Sequence, residues 1–371
     1  MKKALSLVLA CAMALSLVAC GGSDSSSAAA GGSSAAAGGS GATAATATAG
    51  VCFYNFADTF IANARQSLEN IAAADGAVKV TTADSQGAAE TQDNNMNNFY
   101  TQGVNFMLLN NLKTNAKPEL IEKAKSEGVT LMFINSDSST DEEFAMYDKV
   151  YHVSSAAEQS GKIMGDAMLE YINTHDDWDR NGNGTFDYIM LLGTQGNYDT
   201  IQRSERSVEV LANAGIKLNC VGGEQLCEWS RATAQDKVAA LLANYSEDID
   251  GVFACNDDMA LGAIEALKAG GFFTGDDTYL PVCGVDATQV GCDAIREGTL
   301  LVTSMNNPVL LGKATYKTMK LLAAGEELTQ ENLGLEGCTV DGHHVWLNYT
   351  AVNAENVDTV GYDINDVDIS K

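Results

Sequence analysis

Residues 179–187 read Asp-Arg-Asn-Gly-Asn-Gly-Thr-Phe-Asp. Asp179, Asn181, Asn183 and Asp187 place side-chain oxygens at positions 1, 3, 5 and 9, and Thr185 adds a candidate at position 7. Gly184, at position 6, permits the sharp turn that lets alternate oxygens converge on one hard cation such as calcium. An EF-hand would carry a bidentate Glu at position 12, where this chain has Met190. The loop therefore borrows an oxygen from elsewhere or is only a turn.

A second set of polar residues follows short apolar runs. Asp58 and Phe60 follow 51–54, and Asn135 follows 129–134. Asn197, Asp199 and Arg203 follow 188–192 through a Gly loop. Asn256 follows 251–254, Asp286 follows 281–285, and Asn306 follows 300–305. Such residues commonly cap helices and start turns. Their planar carboxylates, amides and guanidinium also present fixed forks of donors and acceptors. Those forks match the neighbouring hydroxyls of a sugar, which both donate and accept. Trp229 and Phe60 offer aromatic faces for the C–H side of a sugar ring, or for a core.

No nucleophile elbow, Walker loop or His-Glu-x-x-His motif is present in the sequence, so no enzyme is expected. His152, His175, His343 and His344 read as structural or surface residues. Gly193-Thr-Gln-Gly196 lacks the glycine spacing of a dinucleotide loop.

The elements that must position these groups alternate along the chain. Strands are expected at 51–54, 78–82, 104–109 and 129–134, with helices at 59–74, 87–102 and 118–127 between them. The pattern restarts after Ser155. Helices are expected at 158–172, 201–214, 232–243, 259–269, 289–297 and 310–323. Strands are expected at 188–192, 216–221, 251–254, 281–284 and 300–304. This order predicts an α/β fold of two Rossmann-like lobes with parallel sheets. Ligands in such sheets sit beyond the carboxyl ends of strands, where the polar residues fall.

Met1–Lys3 is a basic start, and residues 4–19 are apolar apart from two Ser. This run is shorter than the ~20 residues of a membrane span and reads as a signal peptide over 1–19. Leu17-Val18-Ala19-Cys20 looks like a bacterial lipobox, which implies cleavage before Cys20 and diacylglycerol on its sulfur. Residues 20–50 are almost wholly Gly, Ser, Ala and Thr, a flexible tether with a reach of roughly 30 Å. Without the two Lys of the signal peptide, 20 basic residues face 49 acidic ones, a net charge of −29. That balance disfavours nucleic acid and anionic lipid as partners. Seven Cys lie beyond the lipobox, an odd count at irregular spacing, and no Cys-x-x-Cys pair occurs. Cys52, Cys255 and Cys283 read as small buried hydrophobes, while Cys220 and Cys227 leave a bridge open.

The body resembles the galactose/glucose-binding proteins of bacterial ABC sugar import, of the type I periplasmic-binding fold, over nearly all of 51–371. The resemblance is carried by Tyr54…Asp58-Thr-Phe60, Asp84-Ser-Gln86, Phe133-Ile-Asn135 and the Trp178-Asp…Asn-Gly-Asn-Gly run. It continues through Trp229…Thr-Ala-Gln-Asp-Lys237, Asn256–Lys268, Pro281–Asp286 and Asn306. It implies hydrogen bonds to sugar from Asp58, Asn135, Asp199, Arg203, Asn256, Asp286 and Asn306. Phe60 and Trp229 would sandwich the ring, and Asp58 would take the 4-hydroxyl of either epimer. Where the family has His, this chain has Asn197, which keeps a donor but is shorter and never cationic. The family's remaining calcium ligand aligns with Asp250.

The expected function is a lipid-anchored, extracytoplasmic receptor, monomeric, that captures D-glucose or D-galactose between its lobes and delivers it to an ABC permease. The lobes are expected at 51–154 plus 306–341 and at 155–305 plus 342–371, with a three-segment hinge. A sugar sensor serving a membrane receptor or kinase would use the same cleft. A calcium-dependent glycan hydrolase using Asp199 and Asp286 is the less favoured alternative.

Overall fold

The computed structural model describes residues 47–136, 139–275 and 278–370. The first lobe alternates β1 (Ala47–Phe53), α1 (Thr59–Asp75), β2 (Val78–Asp84), α2 (Ala89–Gln102), β3 (Phe106–Leu109), α3 (Lys117–Glu127), β4 (Thr130–Ile134), α4 (Asp141–Met146) and β5 (Val150–Ser155). The second continues with α5 (Ala157–Thr174), β6 (Phe186–Leu192), α6 (Tyr198–Asn213), β7 (Leu218–Cys220) and β8 (Gln225–Leu226). It is completed by α7 (Arg231–Tyr245), β9 (Gly251–Ala254), α8 (Asp257–Ala269), β10 (Val282–Val285), α9 (Gln289–Arg296) and β11 (Val302–Met305). The chain then returns through α10 (Pro308–Ala324), α11 (Gln330–Leu333), β12 (Cys338–Asp341) and β13 (His344–Leu347), and crosses again to β14 (Thr350–Asn353).

The first sheet runs β12-β13-β5-β4-β3-β1-β2, and the second β14-β11-β10-β9-β6-β7 with β8 also paired to β6. Among the described residues only the β12–β13 and β11–β14 pairs are antiparallel. In each lobe the strand order reverses beside its first strand, between β1 and β3 and between β6 and β9. Such switch points leave a crevice at the strand ends.

Apolar side chains cover both faces of each sheet. Phe53, Ile61, Leu68 and Tyr316 fill one side of the first lobe, and Met107, Leu109 and Phe133 fill the other. Ile189, Val252 and Leu267 pack one side of the second lobe, and Phe186, Phe253 and Cys283 the opposite side. Each such residue, fully buried, stabilises the lobe by about 1.5–3 kcal/mol relative to exposure. Tyr316 also satisfies its buried hydroxyl, accepting from the Val78 N–H at 3.1 Å and donating to Asp75 at 2.8 Å.

Several expectations need correction. The tether does not extend to 50, because Ala47–Gly50 already pair in register with Val78–Thr81 of β2. Strand β5, helix α4 and strands β12 to β14 were not anticipated. The lobe boundary expected at 341/342 falls after Leu347, because β13 pairs in parallel with β5 (His344 with His152, Leu347 with Ser155). The C-terminal segment does not stay on the second lobe either. Val360 and Tyr362 pack on the second-lobe core, but Asn63 on α1 donates to the Tyr362 hydroxyl at 3.2 Å. Asn70 donates to the Ile364 carbonyl at 3.2 Å, and Lys313 pairs with Asp366 at 2.6 Å. The seven body cysteines are free thiols, so Cys220 and Cys227 form no bridge. Among the described residues no helix is long and apolar enough to cross a membrane. The signal peptide, Cys20 and most of the tether lie outside the described residues.

Candidate functional site

Three of the strand-end residues are helix caps. Asp58 Oδ1 accepts the Ile61 N–H at 2.9 Å on α1, Asn197 Oδ1 accepts from Thr200 at 3.1 Å on α6, and Asn256 Oδ1 accepts from Met259 at 2.9 Å on α8. Each cap satisfies an orphan N–H and holds its side chain on the wall of the interlobe cleft. Three others depend on unusual backbone. Asn135 has φ 68°, Asp286 115° and Trp229 63°. Asn tolerates this left-handed region, but Trp does so rarely. The strain at Trp229 is held by packing: a Cβ on Gly193 would lie 2.1 Å from Trp229 Cζ2, so only glycine admits the indole there.

All ten candidates line one cleft: Asp58, Phe60, Asn135, Asn197, Asp199, Arg203, Trp229, Asn256, Asp286 and Asn306. The enclosed cavity between them amounts to about 80 Å³. Arg203 is its electrostatic centre. Its guanidinium donates to the Cys255 carbonyl at 2.6 Å and the Tyr349 hydroxyl at 2.9 Å, pairs with Asp199 at 3.2 Å, and lies 5.7 Å from the Trp229 ring centre. Its Nε is buried without a protein partner. Burial disfavours the cation, but Tyr349, Asp199 and Asp286 outweigh it and raise the Arg203 pKa.

The carboxylates feel the same dry surroundings. Burial pushes Asp286 well above the ordinary range, Arg203 pulls it back, and Asp257 and Asp58 push it further. Burial likewise raises Asp199, against the pull of Arg203. Asp58 is raised by burial although the Tyr54 hydroxyl and the Ile61 N–H both donate to it. Ser155 donates to Asn306 Oδ1 at 2.7 Å, and Asn306 Nδ2 stands 3.5 Å from Asp286 Oδ1. Acceptors held this dry gain from a ligand rich in O–H donors, since a buried unpaired polar group costs about 1–3 kcal/mol.

The sequence reading missed Tyr54, Asn110, Asn111, Leu112, Ser136, Thr194 and Gln195, which also line the cleft. Asn110 and Asn111 follow β3 directly, so the strand-end signal was there to be applied. Tyr349, which orients Arg203, carried no local signal.

The 179–187 loop folds as its glycines require, with Gly182 at φ 70° and Gly184 at 76°. Asp179 accepts the N–H groups of Asn183 at 3.1 Å and Gly184 at 2.7 Å, and Asn183 Oδ1 accepts from Thr185 at 2.7 Å. Asp250 meets the loop at both ends, taking the Arg180 N–H at 2.9 Å and the Asp187 N–H at 2.7 Å. The Asn181 and Asn183 amides donate to Asp187 Oδ2 at 3.3 and 2.8 Å. Among the described residues no trio of His, Cys, Asp or Glu groups is gathered for a metal. The donor set is nevertheless all oxygen, which suits a hard cation. Burial, then repulsion from Asp187 and Asp179, pushes Asp250 up to about 6 although the Arg180 and Asp187 N–H groups pull it down.

The family model described as periplasmic binding protein domain matches residues 49–327. The D-galactose/methyl-galactoside binding periplasmic protein of Haemophilus influenzae is 32% identical over 77% of this chain and 85% of its own length. A xylitol-binding protein of Mycolicibacterium smegmatis is 25% identical over 85% of this chain and 79% of its own. Among solved structures, an ABC transporter solute-binding protein from Bacillus halodurans with bound myo-inositol superposes with a TM-score of 0.70. It is 23% identical and covers 85% of this chain and 97% of its own.

Proposed function

Since this chain belongs to the periplasmic binding protein family, we propose that it is an extracytoplasmic receptor for a hexose, D-glucose or D-galactose, serving an ABC import permease. One observation carries the reading. Seven polar candidates from the two lobes (Asp58, Asn135, Asn197, Asp199, Asn256, Asp286 and Asn306), together with Phe60 and Trp229, face one cleft around Arg203. Carboxylates and amides accept from and donate to ring hydroxyls, and the aromatic faces take the C–H side of the ring. The galactoside-binding relative favours a hexose, and the family's binding role argues against hydrolysis by Asp199 and Asp286.

Sugar binding couples to lobe closure, and the closed form would be the one the permease engages. The extent of closure is limited by the sugar's differential affinity for the two forms. A diacylglyceryl Cys20 would hold the body at the membrane through the tether. Calcium, held by Asp179, Asn181, Asn183, Thr185, Asp187 and Asp250, would neutralise a carboxylate-rich loop and lock the start of β6. It supplies stability to the second lobe and takes no part in sugar contact.

Titration calorimetry with glucose and galactose tests the assignment. Binding of either at micromolar dissociation constants or tighter is expected. No heat from either sugar at protein concentrations of roughly 50 μM would sink it.

A further inference from the structure

The Asn197 side chain reaches from one lobe to the other. Its Oδ1 is committed to the α6 cap, where it accepts the Thr200 N–H at 3.1 Å. The cap fixes the plane of the amide and aims Nδ2 across the cleft. There Nδ2 donates to Ser136 Oγ, 3.1 Å away, in the loop that follows β4 of the first lobe. Asn110 Nδ2, at the end of β3, stands 3.5 Å from the same hydroxyl and backs it from its own lobe. Asn197 is buried and Ser136 half-buried. Thr59 Oγ1 of the first lobe also donates to Asp258 Oδ2 of the second at 2.8 Å. The lobes therefore touch through direct protein hydrogen bonds.

We propose that Asn197 and Ser136 form a clasp across the cleft, and that Asn197 sets affinity by holding the lobes closed rather than by selecting among sugars. The proposal deepens the sugar-receptor reading and rests on it for its affinity measurements. The bond exists only when the lobes meet, so it multiplies the closed population by a constant factor. Every ligand that binds the closed form gains that same factor. A contact from Asn197 to one sugar hydroxyl would act differently, since it would favour the sugars that present that hydroxyl.

The test compares the wild type with Ser136→Ala, Asn197→Ser and the double variant. Serine keeps the helix cap but is too short to cross the cleft. Calorimetry with D-glucose, D-galactose and myo-inositol gives the ranking, and small-angle scattering gives the closed fraction with and without sugar. Each single variant is expected to weaken every bound sugar by the same factor, about 3- to 10-fold, with the ranking unchanged. The double variant is expected to lose no more than the larger single loss. Additive losses, or a ranking altered by Asn197→Ser and not by Ser136→Ala, overturn the clasp. If the wild type binds none of the three sugars, the receptor reading fails separately and scattering decides. The sugar-free Ser136→Ala chain must then be more open than the wild type, and identical profiles overturn the clasp.

Discussion

Asp257 Oδ2 accepts the Thr288 N–H at 2.8 Å, and this bond pins the turn that carries Asp286. The same oxygen accepts the Thr288 hydroxyl at 3.0 Å, while Asp257 Oδ1 accepts from Thr303 at 2.6 Å. Thr303 Oγ1 in turn accepts the Ala287 N–H at 3.0 Å. The turn is strained, with φ 115° at Asp286 and 50° at Ala287, so it persists only while these bonds hold it.

Burial pushes Asp257 up to about 7 from 3.8, although its hydrogen bonds pull the other way. The folded chain therefore holds this proton more tightly than the unfolded chain. The stability it contributes is complete below about pH 4 and is lost as pH rises through about 7. Asp257→Asn should remove that falling limb. Melting temperatures of wild type and variant, compared from pH 5 to 8, should converge or cross as pH rises. A constant difference would show that Asp257 is already ionised at pH 5. Sugar affinity of the variant should fall about 10-fold, since one acceptor oxygen remains where two held the turn.

Gly193→Ala should damage the cleft from behind. The new methyl would meet the Trp229 indole at 2.1–2.3 Å, and the strained backbone of Trp229 leaves it little freedom to yield. A stability loss of about 1–3 kcal/mol by denaturant titration is expected, with sugar affinity reduced at least about 10-fold. A variant with unchanged affinity would show that the Trp229 face does not touch the ligand.

Chelation tests the metal. Excess chelator should lower the melting temperature of the wild type by several degrees, and added calcium should restore it. Asp179→Ala and Asp250→Asn should each abolish that response while leaving sugar affinity within about 2-fold, because the loop stands apart from the cleft lining. A wild type indifferent to chelator would make 179–187 a turn and nothing more.

Cys20→Ser should release the protein from the membrane. In a bacterial host that processes lipoproteins, wild type should partition into detergent and the variant into the aqueous phase. Equal partitioning of the two would refute the anchor.

Much of this organisation was legible because it is local. Helix and strand periods, capping residues and loop glycines act over a few neighbours, so Asp58, Asn197 and Asn256 could be found as strand-end polar residues. Their double role as caps and cleft residues follows from one geometry, since a helix that begins at a strand's carboxyl end presents its cap to the crevice. Asn110 obeyed the same rule and was overlooked. Tyr349 could not be found that way, because it reaches Arg203 across 146 positions of chain.

The sequence by itself determined the alternation of elements, the polar chemistry at the strand ends, the oxygen-rich loop and the acidic surface. Tertiary structure alone decided that β13 joins the first lobe, that the C-terminal segment returns to α1, and that Asp257 pins Asp286. It also decided that Asn197 meets Ser136, 61 residues away. The physical reason is range. Propensity and capping are settled within a turn or two of chain, whereas strand partnership, lobe crossing and cross-cleft hydrogen bonds depend on which distant surfaces burial brings together.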